Sequence, residues 1–136
     1  MKLLRTNDMD LIKQSMFRII GLGIGLTPSG DDYLTGLILL LRLAKETDST
    51  LKRQLELVLK EEDLPTNIIS EQQLYFASFG RSKQQLIRLI NNIGDDEQSI
   101  NQFKNDVRLV QQIGSTSGFD LLLGISDGIK LLEEMR

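Results

Sequence analysis

Apolar residues recur at helical spacing along almost the whole chain. Leu11, Ile12, Met16, Ile19 and Ile20 line one face of a first helix, with Asn7 as the predicted N-cap and Asp8 and Asp10 as first-turn acids. Gly21, Gly23 and Gly25 end that stripe and open a loop that runs to Pro28. A second helix is expected from Ser29 to about Glu46, and its apolar run, Tyr33 to Leu41, is broken only by Thr35 and Gly36. Thr47-Asp48-Ser49 leads into a third helix whose Leu51, Leu55, Val58 and Leu59 share a face and whose end, Lys60 to Asp63, is charged.

Asp63 to Asn67 reads as a turn, since Pro65 lacks an amide donor and restricts the residue before it. Ser70 with Gln73 has the spacing of a capping box for a short helix that carries Leu74, Phe76 and Ala77 and stops at Gly80. Two further helices are expected, Ser82 to Ile93 and Glu97 to Ile113, separated by Gly94-Asp95-Asp96. Ser117 opens a last helix that runs close to the C-terminus. No stretch alternates as a strand does. The pattern therefore predicts an all-α fold of about seven helices, in a single domain over residues 1–136.

Composition narrows the chemistry. A chain of 136 residues supports one core of useful size. The net charge of −3 and the scarcity of aromatic residues leave no footprint for nucleic acid. The longest apolar run is too short to span a bilayer, and no basic-then-apolar leader opens the chain, so a cytoplasmic protein without membrane contact is expected. Cysteine and histidine are absent, which excludes thiolate nucleophiles, disulfides, histidine triads and zinc held by these residues. Carboxylates, hydroxyls, Lys, Arg, Tyr, backbone amides and hard metals remain.

One phrase occurs twice. Ser-Gly-x-Asp-x-Leu-x-Gly followed by Leu or Ile runs from Ser29 to Leu37 and again from Ser117 to Ile125, 117 − 29 = 88 residues later. Each copy follows a loop and opens an apolar helix. Ser29 with Asp32, and Ser117 with Asp120, have capping-box spacing. Gly36 and Gly124 each follow the aspartate by four residues, on the same helical face, and Gly128 extends that face by a turn. A helix-interior glycine costs about 1 kcal/mol relative to alanine, so three of them predict close backbone packing between the two motif helices. Packed together, their N-termini would offer amides of Gly30 and Gly118, with Ser29 and Ser117, to a phosphate or carboxylate. The Gly21–Thr27 loop would add further amides. Asp31, Asp32 and Asp120 are the candidate catalytic acids, and Asp31 has no second-copy counterpart, since Phe119 stands there.

The stretches GLGIGLTPSGDDYLTGL and IGSTSGFDLLLGI, with Ala77-x-x-Gly80 between them, resemble the AllH-type subunit family of oxamate carbamoyltransferase. The resemblance runs from about Ile20 to Leu132 and carries Gly25, Thr27 and Thr116 over as motif residues beside the Ser-Gly-x-Asp phrases. It implies a part in allantoin (purine) nitrogen catabolism, in an enzyme that interconverts oxalurate plus phosphate with oxamate plus carbamoyl phosphate. It also implies that this chain works with other carbamoyltransferase subunits. Longer family members carry a further region before the first motif, so the chain is either a short relative or the C-terminal part of a longer one. Where relatives often have a histidine before the second motif, this chain has Ser115.

Three readings follow. The first is a component of a carbamoyltransferase assembly, with a small anion such as carbamoyl phosphate or phosphate at the paired helix starts. The second is a hydrolase in which Asp31, Asp32 and Asp120 hold Mg2+, the one cofactor the sequence suggests. The third is a helical interaction module in which the motifs only cap and pack. Self-association is open under all three.

Overall fold

The computed structural model describes residues 9–61, 63–95 and 97–134. Asn7, Asp8, Glu62 and Asp96, all used in the sequence reading, lie outside the described residues. Within them the chain forms seven helices and no strand: α1 (Met9–Phe17), α2 (Ser29–Leu43), α3 (Ser49–Glu61), α4 (Ile68–Ser78), α5 (Gln84–Ile93), α6 (Ile100–Gln111) and α7 (Ser117–Glu134). The all-α expectation holds.

α2 is the hub. It packs most extensively on α7 and also touches α3, α4 and α5, while α5 and α7 sandwich α6. Eleven of its residues are buried, including an unbroken row from Leu34 to Leu41. A helix buried all round has to be apolar all round, which is why its sequence shows a run rather than a stripe. Around it, Ile12, Met16, Leu55, Leu74, Leu86, Leu89 and Val110 complete the core from the other helices.

Glycine sets the distance between α2 and α7. A Cβ on Gly36 would stand 2.1 Å from the Leu121 carbonyl oxygen, and one on Gly124 would stand 2.0 Å from that of Tyr33. Leu121 and Tyr33 occupy equivalent places in the two motif copies, 121 − 33 = 88 residues apart. The contact is therefore reciprocal, and the helices meet parallel about an approximate two-fold axis. Gly128 continues the contact against Leu40. Further along, the Tyr33 hydroxyl donates to Asp127 Oδ2 at 2.6 Å, locking the same pair.

Several boundaries differ from the sequence reading. α2 stops at Leu43 rather than near Glu46, with Ala44 extended. α6 starts at Ile100 because Ser99 and Gln102 form the capping box there; Asp95 instead takes the Glu97 amide. α4 starts three residues earlier than expected. Asn67 is its cap, accepting from the Ser70 amide, so Ser70 lies inside the helix and the Gln73 side chain is free for other work.

Candidate functional site

Neither motif serine is a cap. The carbonyl of Pro28 accepts from the amides of Asp31 and Asp32, and that of Thr116 from Phe119 and Asp120. Ser29 and Ser117 are thus first helical residues, and the carboxylates of Asp32 and Asp120 are not turned back to a cap amide. The neighbouring glycines do structural work. Gly30 lies against the Ile19 carbonyl and its amide donates to Leu22; Gly118 lies against the Val110 carbonyl and its amide donates to Ile113. The amides expected to cradle an anion are therefore already hydrogen-bonded within the protein. The same arrangement at both places makes α1–loop–α2 and α6–loop–α7 two versions of one unit.

The two motifs do meet. Thr27 Oγ1 lies 3.3 Å from Ser117 Oγ and donates to Asp32 Oδ2 at 3.2 Å. Gln73 closes the other side, its amide donating to Asp32 Oδ1 at 3.0 Å and to Thr35 Oγ1 at 2.9 Å. A small cavity of about 50 Å3 opens among Thr27, Asp32, Thr35, Gln73, Lys83 and Ser117, floored by Leu86, Ile113 and Leu121. Helices from both halves of the chain and the glycine loop converge on it.

Asp32 is 2% exposed. Burial pushes its carboxyl above the ordinary value of 3.8, and the charge of Asp120 pushes the same way; hydrogen bonds from Gln73, Ser117 and Thr27 offset part of the effect. Asp120 itself has a sealed Oδ2 without a partner. Asp32 lines the cavity and keeps acceptor capacity, so the cavity suits a group that brings N–H or O–H.

A raised folded-state pKa means that the native protein holds this proton more tightly than the unfolded chain does. The contribution of Asp32 is fully present below its unfolded pKa and is lost as pH rises through the folded value. Denaturant unfolding at a series of pH values between about 4 and 7 should show this loss, and Asp32→Asn should flatten that part of the profile. A variant profile superimposable on the wild type would rule Asp32 out as its source.

Asp31 faces elsewhere. Wholly buried, it accepts the Gly21 amide at 2.7 Å and the Thr66 hydroxyl at 2.5 Å, joining the glycine loop and the turn before α4 to the start of α2. The structure therefore does not gather Asp31, Asp32 and Asp120, and no cluster of three metal-binding side chains occurs among the described residues. Both oxygens of Asp31 hold the scaffold, one accepting from an amide and the other from a hydroxyl. Gly25 stands in open loop, and Ser29 and Thr116 are exposed.

Gln73, Thr35 and Lys83 were missed as site residues. For Thr35 the signal was present: a hydroxyl interrupting a long apolar run. Gln73 and Lys83 carry none, because only the tertiary fold brings them to Asp32. No helix among the described residues is long and apolar enough to cross a membrane. The model of the family described as oxamate carbamoyltransferase subunit AllH matches residues 19–129, a span that contains both motifs. No solved structure matches the chain significantly.

Proposed function

The chain belongs to the family of oxamate carbamoyltransferase subunit AllH, and we propose that it supplies one end of that enzyme's substrate site, at the junction of its two motifs. The observation that carries this reading is the small cavity beside Thr27 and Ser117, lined by the raised Asp32 and lying within reach of the Asp120 charge. A carbamoyl group is a primary amide, so it brings two N–H donors and one acceptor. Asp32 would take a donor, and the hydroxyls of Thr27 or Ser117 would face the carbonyl oxygen.

Charge decides which end enters. A phosphate would meet the Asp32 carboxyl with the Asp120 charge close by, and the amides of Gly30 and Gly118 are already given to Leu22 and Ile113, so the anion expected there fits poorly. The anionic remainder of carbamoyl phosphate or oxalurate fits better at the rim, where Lys83 supplies a cation. Size points to a shared site. Pockets that enclose a ligand measure about 300–1,000 Å3, several times the cavity here, so the rest of the wall would come from other subunits of the assembly.

Calorimetric titration of the purified chain tests the assignment, using carbamoyl phosphate, inorganic phosphate and oxamate with and without Mg2+. Carbamoyl phosphate should bind in preference to phosphate, without Mg2+, and Asp32→Asn should weaken it by about tenfold or more, the loss of one hydrogen bond to a charged group. Binding that Asp32→Asn leaves unchanged would remove Asp32 from the site. Absence of binding by all three would favour the packing-module reading, which already accounts for the occupied amides of Gly30 and Gly118.

A further inference from the structure

The Gln73 amide sits between two oxygens of α2, and their needs decide which way it faces. Thr35 is 1% exposed, and its hydroxyl donates to the Asp31 carbonyl at 2.8 Å. A hydroxyl carries one hydrogen, so Thr35 Oγ1 can only accept from a further neighbour. That neighbour is Gln73 Nε2 at 2.9 Å, and the same nitrogen donates to Asp32 Oδ1 at 3.0 Å. Turned the other way, the Gln73 carbonyl would draw the Thr35 hydrogen from Asp31 and would oppose the Asp32 carboxylate. The observed arrangement makes three hydrogen bonds. The reversed one makes fewer, and needs a protonated Asp32 to face the carbonyl at all.

The two oxygens of Asp32 therefore have unlike neighbours. Oδ1 faces an amide nitrogen, which cannot accept a carboxyl proton. Oδ2 faces Thr27 Oγ1 at 3.2 Å, and Thr27 in turn lies 3.3 Å from Ser117 Oγ, where either hydroxyl can be the donor. A hydroxyl donates to a carboxylate or, after turning, accepts from the acid. Thr27 thus serves both protonation states, with Ser117 able to take its hydrogen when it turns, whereas Gln73 serves only the ionised one. The ionisable groups around the cavity are Asp120 on α7, whose charge acts on Asp32, and Lys83 at the start of α5; α4 lines it with the neutral Gln73 alone.

We propose that Gln73 is a positioning residue: it holds Asp32 Oδ1 with a fixed donor, so that Oδ2, beside Thr27 and Ser117, is the oxygen that takes up and gives back a proton. The assignment rests on the reading of Asp32 as the group that meets the substrate. On that reading a single carboxyl oxygen is the working atom, and α4 acts on the chemistry without touching the ligand's reacting group.

The test is carboxyl-carbon NMR of aspartate-labelled protein, titrated with pH at fixed salt and without ligand, with Asp32→Asn identifying the Asp32 signal. Gln73→Met and Gln73→Leu remove a donor that serves only the ionised form, so Asp32 should hold its proton about tenfold more tightly in both. Two variants guard against a packing defect peculiar to one side chain. Thr27→Val removes a hydroxyl that serves both forms, and should change proton affinity by less than about threefold. A midpoint that both Gln73 variants leave in place, or that Thr27→Val moves as far as they do, would overturn the inference. Because no ligand is present, the two readings fail separately. An unmoved midpoint, in a protein whose carbamoyl phosphate binding depends on Asp32, would remove the role of Gln73 alone. The expected shifts, in a protein that binds no carbamoyl phosphate, would keep the proton on Oδ2 and overturn the functional reading.

Discussion

Gly124→Ala should destabilise the protein by about 3–5 kcal/mol, lowering its melting temperature by roughly 10 °C. The added methyl would stand 2.0 Å from the Tyr33 carbonyl oxygen and 2.8 Å from the Leu37 amide nitrogen. Both are backbone atoms of a buried helix, so no side chain can swing aside, and α7 as a whole must move away from α2. Gly36→Ala, with its methyl 2.1 Å from the Leu121 carbonyl, should cost a similar amount. Gly94→Ala is the control: with φ at −91° and nothing within 4 Å of the new methyl, it should change stability by less than about 0.5 kcal/mol. Thermal and denaturant unfolding of the three variants decide the matter. A Gly124→Ala protein as stable as Gly94→Ala would mean that the helices are not in close contact.

The second large effect is expected at Asp31. Asp31→Ala strands the part-buried amide of Gly21 and hydroxyl of Thr66, and each unsatisfied group costs about 1–3 kcal/mol. A loss of about 3–4 kcal/mol is expected, with the glycine loop and the turn before α4 released from α2 together. Asp31→Asn keeps one acceptor and should lose about half as much. Hydrogen exchange gives the sharper readout, since the Gly21 amide should lose protection in Asp31→Ala. Full stability combined with lost ligand binding would return Asp31 to the chemistry and remove it from the scaffold.

Much of this was legible before any coordinates. The helices were visible because their apolar residues follow a 3.6-residue period, and the partnership of α2 with α7 was visible because three costly helical glycines need a reason. Other features were not. Ser29 and Ser117 have the spacing of caps, yet Pro28 and Thr116 are the cap residues. Spacing records what a side chain can reach along its own helix, and says nothing about which distant group competes for it. Gln73 shows the same limit: local spacing joined it to Ser70, whereas its amide hydrogen-bonds Asp32, 41 residues away in sequence. Asp31 and Asp32 are adjacent in the chain, but the helical turn between them sends one to the loop anchor and the other to the cavity.

The pairing of α2 with α7 also bears on how the chain is made. α2 leaves the ribosome 117 − 29 = 88 residues ahead of α7, so its most apolar segment must wait for Gly124 and Gly128 before its principal partner exists. Until then the row from Leu34 to Leu41 can be covered only by α3, α4 and α5. The nascent chain therefore carries a sticky helix while the intervening helices are made, and the α2–α7 pair forms only when α7 arrives.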